Sequence, residues 1–185
     1  MAYYNSLHSW LKVKNKFIIS FNNLPNPIKM IPRKNSMSLE KLLQLEGSWE
    51  GKYHLFLDPN DPARISQSEM RISPLLKNKF VELKYTWYEE TPQEGEITLT
   101  YHPKKQLVIA NWLDSWHMGY EIMRCEGYCE NDEYSFTGSY DVSKGPKWGW
   151  RTEIKNITSQ EFELLMYNIS PKGDDQLAVR VVYSQ

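Results

Sequence analysis

From Ser48 to the C-terminus the chain repeats apolar and polar positions with a period of two, in runs of eight to eleven residues separated by turn residues. The clearest runs are Val81, Leu83, Tyr85, Trp87, then Ile97, Leu99, Tyr101, then Phe162, Leu164, Met166, and finally Leu177, Val179, Val181, Tyr183. Their intervening neighbours are mostly charged or small and polar. The pattern predicts ten strands, at about 48–57, 64–73, 79–88, 95–102, 106–113, 117–127, 134–141, 148–156, 160–168 and 176–184. Short connections without helical crossovers imply that each strand pairs antiparallel with its neighbour. A sheet that long curls, and closure removes its edges. The expected fold is therefore an all-β, up-and-down antiparallel barrel of about ten strands, wide enough to leave a cavity.

Only one helical period precedes the strands. Ser38 is a suitable N-cap, Glu40 falls in the first turn, and Leu39, Leu42 and Leu43 share one face. Gly47 is placed to end a two-turn helix, too short to stand without packing. Turns alternate between the two ends of such a barrel. The set formed by 58–62, 89–94, 114–117, 142–147 and 170–175 is longer and richer in Pro and Gly. It is expected to rim an open mouth, with the helix closing the other end.

Composition and charge narrow the partners. The chain has 185 residues, enough for one domain with a substantial core. Residues 1–37 hold six basic side chains and no acid, while the remainder carries sixteen basic and twenty-three acidic ones, a formal charge of −7. The organisation read from this is a basic tail, 1–37, extended or disordered, and a barrel domain, 38–185. An acidic body argues against nucleic acid as the partner. No apolar stretch is long enough to span a bilayer. Cys125 and Cys129 lie on one predicted strand, about 13 Å apart at 3.3 Å per residue, too far for a disulfide. Two free thiols suit a reducing, cytoplasmic setting. Import into an organelle through the acid-free tail stays open.

Gly47-Ser48-Trp49, directly after a short helix and opening the first strand, resembles the Gly-x-Trp start of lipocalins and other calycins. The stretches Trp112 to His117, Trp148 to Arg151 and Met166 to Gly173 resemble a bacterial calycin-like family catalogued as domain of unknown function 1579. The likeness covers about 38–185 and implies a lipocalin-like barrel without implying a reaction. It further implies that Trp49 plugs the closed end beneath a cation from the last strand, which Arg180 would supply.

Three groups of residues could carry chemistry. Asp114, Trp116 and His117 form a predicted hairpin at the mouth. A carboxylate three residues from an imidazole can orient it for general-base work. The same Asp can also simply initiate a turn by capping backbone N–H groups. Tyr85, Trp87, Trp112, Tyr120 and Trp150 form an aromatic set that either packs the core or lines a pocket. Arg151 and Asn168 would add polar contacts at the rim. Trp150 and Arg151 alternate, so only one faces inward, and a one-residue slip reverses the answer. If Arg151 lies outside, its partner is Glu153 or Asp114. No metal spacing occurs among His8, His54, His102 and His117, and Cys125-x-x-x-Cys129 is poor for a tetrahedral site. Haem-binding calycin barrels use an internal His on a late strand, and no His follows 117, so no cofactor is expected. The leading reading is a module that binds a small hydrophobic or aromatic ligand. An enzyme using His117 and Asp114, and an interaction scaffold such as a homodimer, remain as alternatives.

Overall fold

The structure, a computed structural model, describes residues 38–185. The basic segment 1–37 lies outside them. Ten antiparallel strands close into a barrel in sequence order, with β1 paired to both β2 and β10. The strands are β1 (Gly47–Leu55), β2 (Arg64–Leu75), β3 (Phe80–Glu89), β4 (Thr91–His102), β5 (Leu107–Asp114), β6 (Met123–Glu130), β7 (Glu133–Tyr140), β8 (Trp148–Lys155), β9 (Glu161–Ile169) and β10 (Asp175–Ser184). The all-β antiparallel barrel expected from the alternation, in the lipocalin-like form the resemblance implied, is therefore the fold.

Two local differences have clear causes. The helix α1 spans only Glu40–Leu43, a single turn capped at Leu39, with no side-chain cap. Ser38 sits one residue earlier, and its hydroxyl accepts the Glu40 N–H at 3.2 Å. Strand β6 begins at Met123, six residues later than the alternation suggested. Gly119, at φ 58°, and a turn hydrogen bond from Glu121 N to the Met118 carbonyl divert the chain into a loop over 115–122.

The helical segment closes one end. Leu42 and Leu45 are buried, the Trp49 indole N–H donates to the Leu45 carbonyl at 2.8 Å, and the Tyr134 hydroxyl donates to the Ser38 carbonyl at 2.7 Å. Trp49 thus plugs the base as the resemblance implied. Its partner differs. Phe162 meets Trp49 edge-on at 5.0 Å, whereas Arg180 stands on the outer wall and pairs with Glu163 at 2.6 Å. The reason is parity: Val179 and Val181 take the inward positions of β10.

The interior is filled rather than hollow. Inward side chains from Trp49 and Tyr53 through Trp87, Trp112 and Trp150 are no more than 3% exposed. Large rings occupy the width that ten strands create. Gly95 makes room for one of them, since a Cβ there would stand 2.1 Å from the Tyr85 ring. A concavity of about 610 Å³ lies instead on the outer wall over β1–β5, lined mainly by Ser48, Glu50, Glu69, Arg71, Lys84 and Glu96.

Close packing shifts the buried acids of the interior. Burial pushes the Cys125 thiol up to about 12, and raises the Tyr53, Tyr85, Tyr134 and Tyr183 phenols. Each group is neutral when protonated, and the folded state holds its proton longer than the unfolded chain does. The stabilisation is complete below the unfolded values, about 8.5 for a thiol and 10 for a phenol, and is lost as pH rises toward the folded ones. We expect the urea midpoint to fall between about pH 8.5 and 11, with the absorbance of these four phenolates rising only on unfolding. Ionisation of all the tyrosines near pH 10 in the folded protein would contradict this packing.

Candidate functional site

The mouth opposite the helical segment is built around Asp114, the last residue of β5. Its parity sends the side chain inward, where it is buried. The chain then leaves the wall, and Asp114 Oδ1 accepts the backbone N–H groups of Trp116 at 3.0 Å and His117 at 2.9 Å. This is the turn-forming arrangement Asp favours. Ser115 fixes the loop to β4, donating its N–H to the Glu94 carbonyl and its hydroxyl to Gln93.

The same loop carries the His117 side chain back over the barrel. His117 Nδ1 lies 2.9 Å from Asp114 Oδ1. A carboxylate only accepts, so Nδ1 carries the hydrogen, and in the neutral ring Nε2 holds a free lone pair. Among the described residues, Nε2 has no hydrogen-bond partner. Asp114 therefore both caps the turn and orients the imidazole. Asp114 Oδ2 accepts the Tyr85 hydroxyl at 3.1 Å, and that hydroxyl accepts the Trp112 indole N–H at 2.8 Å. A continuous chain of bonds runs from Trp112 through Tyr85 and Asp114 to His117.

Four indoles surround the imidazole. Ring centroids lie at 4.6 Å for Trp116, 5.3 Å for Trp150, 5.5 Å for Trp87 and 5.7 Å for Trp112. Beneath them Trp112 stacks on Trp150 at 4.8 Å, and Tyr53 on Trp87 at 4.7 Å. The arrangement is a closed aromatic chamber, filled by its own rings, with His117 packed over it. Its polar atoms are incompletely used. The indole N–H groups of Trp87 and Trp150, the Tyr53 hydroxyl and the Thr152 hydroxyl are buried without a partner. At the rim, Glu89 turns inward and pairs with Arg64.

The predicted site residues separate clearly. Tyr85, Trp87, Trp112, Asp114, His117 and Trp150 come together in the chamber, and Trp116 covers it with a half-exposed ring. Tyr120 stands fully in solvent on the 115–122 loop, because the segment read as strand is not one. Asn168 sits at the end of β9 and accepts the Tyr140 hydroxyl at 2.7 Å. Trp150 is the inward member of its pair. Arg151 lies on the outer wall with Glu153 at 3.0 Å and Asp175 at 2.6 Å, over the Tyr167 ring. Asp114 is out of its reach because it faces the interior. Sequence reasoning missed Tyr53 and Thr152. Tyr53 carried a signal, standing four residues after Trp49 and so on the same strand face. Among the described residues, no group of three or more His, Cys, Asp or Glu could hold a metal ion. No described helix is long and apolar enough to cross a membrane.

Fold and site together define a closed, ten-stranded, lipocalin-like barrel with a histidine-bearing loop over its mouth. The chain belongs to the family described as protein of unknown function, DUF1579, whose model matches residues 36–185. Among solved structures, Rv2717c from M. tuberculosis is similar in fold, with 14% identity and a TM-score of 0.54, over 80% of this chain and 96% of that one. A putative thioesterase II from Thermobifida fusca YX aligns with 7% identity and a TM-score of 0.23, over 80% and 81% of the two chains, a likeness that carries no argument. Among curated proteins, none matches the chain.

Proposed function

We propose that the protein binds a small, flat molecule in the chamber formed by Tyr53, Tyr85, Trp87, Trp112 and Trp150, with the His117 side chain as a removable stopper. The observation that carries this reading is the cluster of buried, unpartnered polar atoms on Trp87, Trp150, Tyr53 and Thr152. Each such atom costs about 1–3 kcal/mol relative to a satisfied one. Phe or Val at those positions would fill the same space without that cost. Atoms of this kind are what an orienting site requires, a mostly apolar surface with a few aimed donors. The outer-wall concavity is a poorer place for such a ligand, because its outward Glu, Arg and Lys side chains are largely solvated.

With His117 in place the chamber is full, so a ligand enters only when the His117 side chain swings out. The apparent affinity is then reduced by the small fraction of open molecules. Titrating a panel of flat aromatic compounds against tryptophan fluorescence is expected to give saturable quenching. His117→Ala, which lacks the stopper, is expected to bind the same compounds about tenfold more tightly. If neither protein quenches or shifts its melting temperature across the panel, the proposal fails.

A further inference from the structure

The side chain that fills the chamber describes what can replace it. Resting on the reading above, we infer that the ligand is a planar, N–H-bearing nitrogen heterocycle, an azole or a fused ring system containing one, and that His117 is its internal stand-in. Three features of the site converge on this class.

The first is Asp114. Its buried carboxylate accepts the imidazole N–H. A hydrocarbon that displaced His117 would leave that position without a donor, and hydrogen bonds to charged groups are the costly ones to lose. The incoming molecule must offer an N–H in return. The second is the wall. Trp87, Trp112 and Trp150 approach the imidazole at interplanar angles of 34°, 45° and 54°. The imidazole already fits among these rings, so the space it occupies is that of a flat five-membered ring. The third is the pair of unpartnered indole N–H groups on Trp87 and Trp150, which call for an acceptor on the ligand. His117 carries an acceptor-capable Nε2, yet it has no partner among the described residues. A heterocycle free to shift within the chamber can supply both the donor for Asp114 and the acceptor for an indole.

The test uses the cavity that removing the stopper creates. The full chain with His117→Gly is titrated with imidazole, pyrrole and thiophene, three flat five-membered rings. Imidazole has a donor and an acceptor, pyrrole only a donor, and thiophene neither. Tryptophan fluorescence and melting temperature are the readouts. Imidazole is expected to bind saturably, about tenfold or more tighter than thiophene, with pyrrole between them. Thiophene binding as tightly as imidazole would overturn the ligand class while leaving the chamber as a binding site. A folded variant that takes up none of the three would overturn it as well. The wild-type titration with larger compounds tests the chamber separately. Should the glycine variant be unfolded alone, imidazole must restore its near-ultraviolet circular dichroism and thiophene must not. The opposite outcome counts against the inference.

Discussion

Asp114→Ala is expected to lower stability by about 3–5 kcal/mol, one of the two largest single-residue effects in the barrel. The Asp114 carboxylate accepts two backbone N–H groups, the imidazole N–H and the Tyr85 hydroxyl. Truncation leaves four donors without that acceptor at the edge of a dry interior. Their separate costs do not add, because water reaches the loop once it loosens, so the total falls below four times the usual 1–3 kcal/mol. For a domain near 150 residues the melting temperature should drop by about 10 °C. The near-ultraviolet circular dichroism should also weaken, since His117 no longer holds the Trp87, Trp112 and Trp150 rings in fixed relation. Asp114→Asn keeps one oxygen for the loop N–H groups. Its amide can donate to the Tyr85 hydroxyl, and it should cost only about 1–2 kcal/mol. An alanine variant that melts within a degree or two of wild type would show that the mouth network contributes nothing.

How much of this was legible in the sequence depends on what each residue's partner is. The strands were legible because inward positions on β3, β4, β9 and β10 are mostly apolar and outward ones mostly polar, and this alternation follows from the pleat alone. The 115–122 loop misled for the same reason. Met118, Tyr120 and Ile122 alternate with Gly119 and Glu121, which imitates a strand, yet Tyr120 and Ile122 face solvent. Apolar spacing reports a face only when that face is buried. The chamber residues were legible as types. That they meet depends on pairing across strands, which no local pattern states. Trp150 and Arg151 show this well. Only the register of β8 against β7 and β9, with Trp150 opposite Gly138 and Asn168, decides which points inward. The expected hollow was wrong because strand number sets the width of a barrel, whereas the size of inward rings sets what remains of it. Here Trp49, Tyr53, Tyr85, Trp87, Trp112 and Trp150 all point in.

Trp49→Ala should destabilise the barrel by about 3–5 kcal/mol, through a different mechanism. The indole is buried beside Leu45 and Met70, meets Phe162 at 5.0 Å, and spends its N–H on the Leu45 carbonyl. Removing it leaves a void that close-packed neighbours fill only in part, and frees the segment that closes the base. Trp49→Phe separates the two contributions. It keeps most of the ring contact with Phe162 and loses the hydrogen bond, so about 1–2 kcal/mol should go. The denaturant slope should stay constant in both variants, because the unfolded chain exposes nearly the same surface. Ligand binding at the mouth should survive in Trp49→Phe, whereas Asp114→Ala should lose it. Equal melting temperatures for Trp49→Ala and wild type would mean that the helical segment, not the indole beneath it, holds the base closed.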